Sequence, residues 1–188
     1  MSQFNFEMYE KRVNDIFIKK SLNKQNEDEL VDILLADFIK ENLVIIQKSK
    51  QLKQIQMKTG LLWQIAIGEY DKFINLGESH ETGLDVLSSE RKIIMEIKNR
   101  YNTDNHSARK SNLDKLAKYK KEHPEYTCIY GIINCNTKNG KQMIIKHNNV
   151  NINYYSGDEL LNFIFGDNKN KIITILKKII NSYTLNNE

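Results

Sequence analysis

The stretch from Tyr126 to Asn134, YTCIYGIIN, is apolar at odd and even positions alike. Side chains alternate across a strand, so a strand with this pattern is buried on both faces, and a sheet covered above and below needs helices on each side. The remainder of the chain supplies them. Phe6, Tyr9, Val13, Ile16 and Phe17 fall at helical spacing. A second helical stretch starts at Asn26, with Glu29 three residues on as in a capping box, and has Leu30, Leu34 and Phe38 on one face. A third pattern carries Leu52, Ile55, Leu62, Trp63, Ala66 and Tyr70, and Gly60 is expected to break it into two helices. Its front half, from Gln47 to Lys58, holds Lys48, Lys50, Lys53 and Lys58 and no acid.

From Gly83 the period changes from helical to alternating. GLDVL reads as a short strand, SSER as a polar turn and KIIMEIK as the returning strand of a hairpin. A helix is expected from Ser107 to Glu122, with Leu113, Leu116 and Ala117 inward, ending before Pro124. QMIIK and VNINYY are further strands separated by HNN. The tail is helical again, through Leu160, Leu161 and Ile164 and then Ile172, Leu176, Ile179 and Tyr183. Repeats, linkers and low-complexity blocks are missing from this pattern. The expectation is one α/β domain over residues 1–188, a mixed β-sheet flanked by helices. A helical N-terminal region occupies 1–57, the core 58–155 and C-terminal helices 156–188.

Composition closes off other classes. A chain of 188 residues can bury about 70% of its unfolded surface in one core. With 40% hydrophobic and 28% charged residues, it is not compositionally disordered. Cys128 and Cys135 are an odd number of positions apart in one apolar run, so they face opposite sides of a strand and read as reduced core residues rather than a bridge or a metal pair. No apolar run approaches the roughly 18 residues of a membrane span, and MSQFNFEMYEKR lacks the plan of a signal peptide. A cytoplasmic protein without membrane contact is expected.

The hairpin holds the chemistry. The period of two places Ile93, Met95 and Ile97 on one face and Glu96 with Lys98 on the other, and the short turn brings Asp85 close to Glu96. Two converging carboxylates repel unless a cation lies between them, and oxygen ligands of this kind suit Mg²⁺. A neighbouring lysine is suited to orienting or deprotonating a water, or to stabilising charge on a phosphate under attack. Those parts fit metal-assisted phosphodiester hydrolysis. The plain alternative is a structural salt bridge on a hairpin. Two other acid-x-Lys triplets, Glu90-Arg91-Lys92 and Asp167-Asn168-Lys169, lie in polar turn-like sequence; only Glu96-Ile97-Lys98 ends an apolar strand.

The segment after the hairpin favours the catalytic reading. From Lys98 to Lys121 there are eight basic residues and two acids, a local charge of +6 in a chain whose total is only +4. Arg100, Asn102, Thr103, Asn105, Ser107, Arg109, Lys110 and Asn112 offer guanidinium, amide, hydroxyl and ammonium groups, the types that grip phosphates and read base edges, so they are the expected DNA contacts. Lys115, Lys118, Lys120 and Lys121 read as a solvated helix face. Gln64, Glu69 and Glu78 lie upstream of Asp85, and one of them could add an oxygen to the metal site; for Gln64 and Glu69 the blander reading is helix surface. His80 and His106 flank the site without the partner spacing of a zinc site.

Asp85 with Glu96-Ile97-Lys98 at a strand end resembles the PD-(D/E)XK nuclease signature, with Gly83-Leu84 where that pattern often has a Pro before the Asp. The wider run from Lys58 to Asn134, and EIKNRYNTDN with RKSN above all, resembles the type II restriction endonucleases that cut GGNCC-type sites. The resemblance implies a restriction-endonuclease-like fold. Asp85 and Glu96 would hold Mg²⁺ and Lys98 would serve the attacking water. It further implies a homodimer acting on double-stranded DNA at a short palindrome, with a cognate DNA methyltransferase as genetic partner. Two other readings stand beside it: a repair or recombination nuclease of the same fold, and a non-enzymatic DNA-binding module that keeps the hairpin as a salt bridge.

Overall fold

The computed structural model describes residues 4–22, 43–77, 79–100, 105–135 and 140–185. The expected helix from Asn26 through Phe38 lies outside the described residues, as do Glu78, Asn102 and Thr103. Six strands form one mixed sheet: β1 (Ile74–Asn75), β2 (Val86–Ser88), β3 (Ile93–Arg100), β4 (Thr127–Asn134), β5 (Lys141–His147) and β6 (Val150–Ser156), in the spatial order β1-β2-β3-β4-β6-β5. The central pairs β3/β4 and β4/β6 are parallel, while β1/β2, β2/β3 and β5/β6 are antiparallel.

The two-sided burial predicted for β4 is what the structure has. Ile129 and Ile133 join Ile93, Met95 and Ile97 of β3 on one face, while Cys128, Tyr130 and Ile132 join Ile94 on the other. The first face is covered by α1 (Phe6–Leu22), α2 (Leu43–Gly68), α4 (Asp158–Phe165) and α5 (Lys169–Leu185), through such side chains as Phe17, Ile65, Leu160 and Ile172. The second is covered by α3 (His106–Glu122), through Leu113, Leu116 and Ala117. Each aliphatic side chain so enclosed contributes about 1.5–3 kcal/mol, so these two clusters hold the layers together. Cys128 and Cys135 are both free thiols; Cys128 is in the core as expected, whereas Cys135, past the end of β4, is only half-buried.

Two features depart from the sequence pattern. Gly60 does not break the third helix, because α2 runs unbroken through 26 residues and across the expected 57/58 boundary. A Cβ there would meet only an ordinary contact, 3.5 Å from Cβ of Asn99. Strand β1 has no counterpart in the sequence pattern. It is two residues long, too short to show a period, and it exists because α2 and β2 frame it. Gly68 permits that approach, since a Cβ on it would fall 2.5 Å from the backbone nitrogen of Asn75. The polar tip between β5 and β6 turns through Asn148 and Asn149, both at positive φ, a conformation Asn tolerates better than most residues.

Candidate active site

Gly83, at φ +60°, redirects the chain just before β2, and its carbonyl accepts from Lys115 Nζ of α3 at 3.2 Å. That turn delivers Asp85 to the flank of β3. The Asp85 N–H donates to the Met95 carbonyl at 3.1 Å, and the Ile97 N–H donates to Asp85 Oδ2 at 2.7 Å. Asp85 is thereby fixed by the residues on either side of Glu96. From the opposite layer, Gln64 Nε2 of α2 donates to Asp85 Oδ1 at 3.0 Å. A carboxylate only accepts, so the Gln64 amide meets it nitrogen first.

Glu96 is buried, 3% exposed. Its Oε1 is 2.7 Å from Lys98 Nζ, while its Oε2 is buried with no hydrogen-bond partner. Burial raises the carboxyl pKa above the usual range, repulsion from Asp85 raises it further, and the hydrogen bond and charge of Lys98 oppose both. The three residues expected from strand parity therefore lie together. An orphaned carboxylate oxygen next to a second carboxylate is an electrostatic deficit that a divalent cation would cancel. Mg²⁺ keeps several waters and is commonly bound by one or two carboxylates plus substrate phosphates, and Asp85 and Glu96 fit the carboxylate part of that set. Among the described residues no group of three His, Cys, Asp or Glu converges as a metal cage.

A cleft of about 930 Å³ opens beside this set, between α2 and the ends of β1 and β3. Gln64, Asp85 and Lys98 line it, and Lys20, Lys53 and Arg100 add positive charge to its walls. The other expected DNA contacts distribute unevenly. Ser107, Arg109 and Lys110 are exposed on the first turn of α3, with the Arg109 guanidinium 5.9 Å from the centre of the Tyr130 ring. Tyr130 is the register partner of Glu96, so this helix approaches the site from the second face of the sheet. Asn105 caps α3, its side chain accepting from the Ala108 N–H at 2.8 Å. Asn112 is buried on the sheet side of α3.

Four side chains reach the site although the sequence pattern leaves them on helix surfaces or does not connect them to Asp85. Gln64 touches Asp85, whereas helical spacing leaves it on the surface; Glu69 instead pairs with Arg12 at 2.6 Å. Lys115 braces the turn before Asp85 rather than facing only solvent. Lys20 and Lys53 reach the cleft from segments 32 or more positions upstream of Asp85. His80 bonds within its own turn, Nδ1 to Thr82 Oγ1 at 2.9 Å, and His106 begins α3 in an exposed position.

A mixed sheet between helical layers, with two carboxylates and a lysine gathered at a central strand end beside a basic cleft, defines the restriction-endonuclease-like class. The chain belongs to the Eco47II restriction endonuclease family, whose model matches residues 5–184. That makes it a nuclease, a hydrolase acting on DNA. No curated protein matches the chain. No helix among the described residues is long and apolar enough to cross a membrane.

Proposed function

We propose that this chain is a type II restriction endonuclease of the PD-(D/E)XK kind, hydrolysing phosphodiester bonds of double-stranded DNA at a GGNCC-type palindrome with Mg²⁺. The observation that carries the catalytic assignment is the buried, unpartnered Glu96 Oε2 beside Asp85. Asp85 and Glu96 would hold the cation. Once bound, Mg²⁺ supplies charge neutralisation between the carboxylates and polarisation of phosphate and water oxygens. Gln64 and the Ile97 N–H keep Asp85 in one rotamer, so the carboxylate is oriented before DNA arrives. Lys98, held on Glu96 at 2.7 Å, has its ammonium where it can orient the attacking water and stabilise charge developing on the phosphate.

The phosphate backbone would be gripped by Arg100, Ser107, Arg109 and Lys110, while Asn102, Thr103 and Asn105 offer the amide and hydroxyl groups that read base edges. A palindrome is read by two-fold symmetry, so the enzyme would act as a homodimer, in the cytoplasm, with a cognate methyltransferase protecting host sites. Digestion of plasmid DNA with Mg²⁺, then mapping of fragment ends, tests the specificity. Discrete fragments ending at GGNCC are expected; random nicking or ends at unrelated sites would overturn the specificity. Asp85→Ala and Glu96→Ala should abolish cutting and leave specific DNA binding largely intact. Unchanged cutting by either purified variant would remove the catalytic assignment.

A further inference from the structure

Beyond the carboxylates and lysine, the ends of the parallel strands β3 and β4 carry a relay of amides. Asn134 Nδ2 donates to Asn99 Oδ1 at 2.8 Å, and Asn99 Nδ2 donates to the backbone carbonyl of Gln56 in α2 at 3.3 Å. A backbone carbonyl only accepts, so Asn99 must turn its NH₂ toward Gln56, its oxygen then faces Asn134, and Asn134 must answer with its own NH₂. The backbone end of the relay therefore decides the orientation of both amides, which is otherwise an open choice for asparagine.

Asn134 is exposed at the end of β4. With one N–H committed to Asn99, its amide retains an acceptor oxygen and a second N–H in a fixed order. A fixed donor and acceptor side by side is the chemistry that reads a base edge: N6–H and N7 of adenine, or guanine O6 with the N4–H of its paired cytosine. The position suits that role. Asn99 directly follows Lys98 and lines the same cleft, and Asn134 is the register partner of Arg100. An amide here would meet the nucleotides next to a phosphate held at Asp85 and Lys98. A side chain already immobilised by a relay also gives up little rotamer freedom on binding.

We propose that Asn134 is a base-reading residue of this nuclease, and that Asn99 is the positioning residue that presents it. The inference rests on the nuclease reading above. It is tested by measuring kcat/KM of wild type, Asn134→Ala, Asn134→Asp and Asn99→Ala on duplexes carrying the mapped site and every single-base variant of it, with thermal melts to confirm folding. Asn134→Ala should lose roughly tenfold to a hundredfold at the mapped site and discriminate less at one symmetric pair of positions, leaving discrimination elsewhere unchanged. Asn99→Ala should relax the same positions. Asn134→Asp, which replaces the donor by a second acceptor, should alter the preferred base there. Equal loss at every duplex, or a melting change with the wild-type preference intact, would overturn the inference while the nuclease reading stood. A wild type that cut no DNA would overturn both.

Discussion

Glu96 illustrates how a buried carboxylate weakens the fold that holds it. Its carboxyl is raised in pKa by burial first and by Asp85 second, so the folded state binds that proton more tightly than the unfolded chain does. Below the unfolded pKa both states are protonated and there is no penalty. As pH rises through the folded pKa, the folded state must hold a buried charge and loses stability. Glu96→Gln should therefore raise the melting temperature of the metal-free protein at neutral pH, by a stability gain of about 1 kcal/mol, and the gain should shrink toward about pH 4. Melting curves across that range check it; a pH-independent difference would contradict the cause given. Gln64 acts one contact further out. If Asp85 holds the cation, Gln64→Ala should cost about tenfold to a hundredfold in single-turnover rate with DNA affinity retained, as loss of a partner that orients a ligating carboxylate does. The strand period of two and the short turn together predict that Asp85, Glu96 and Lys98 are neighbours, which is how the structure has them. Gln64 stands in the sequence only as one of three upstream candidates with a helix-surface alternative, because helical spacing says which residues share a face and not which partner that face meets.

Among the elements, β3, α3 and β4 are legible in the sequence nearly to the residue, since each has a strong period and a clear stop: Pro124 after α3, polar residues after Asn134. Helix α2 continues through Gly60, against the sequence pattern, because a glycine's intrinsic helix cost of about 1 kcal/mol is small against the packing of Leu62, Ile65 and Ala66. The two glycines of α2 should respond in opposite senses. A Cβ at Gly60 meets only ordinary contacts, so Gly60→Ala should stabilise by about 0.5–1 kcal/mol. A Cβ at Gly68 would stand 2.4 Å from Cβ and 2.5 Å from N of Asn75, so Gly68→Ala should destabilise by about 1–3 kcal/mol through displacement of β1. Chemical denaturation of the two variants tests both signs.

In the whole molecule, positive charge reaches the site from both faces of the sheet. Counting along the chain finds two separate sources, the segment from Lys98 to Lys121 and the acid-free run from Gln47 to Lys58 that holds Lys53. Lys20 and Lys53 converge on the cleft only after α1 and α2 pack, so position in the sequence does not connect them to Asp85. If Arg109 contacts a phosphate, Arg109→Ala should reduce the slope of log affinity against log salt by about one, and an unchanged slope in a salt titration would remove it from the interface. Mg²⁺ should raise the melting temperature of wild type, by about 2.7 kcal/mol of added stability at a hundredfold excess over its dissociation constant, and should fail to do so for Asp85→Ala.

Asp85 is held at once by a helix that precedes it, through Gln64, and by a strand later in the chain, through Met95 and Ile97; that strand in turn leans on β4. During synthesis the ribosome releases these supports in order, and β4, which flanks β3, emerges last. An unfinished chain still on the ribosome thus lacks the far buttress of β3.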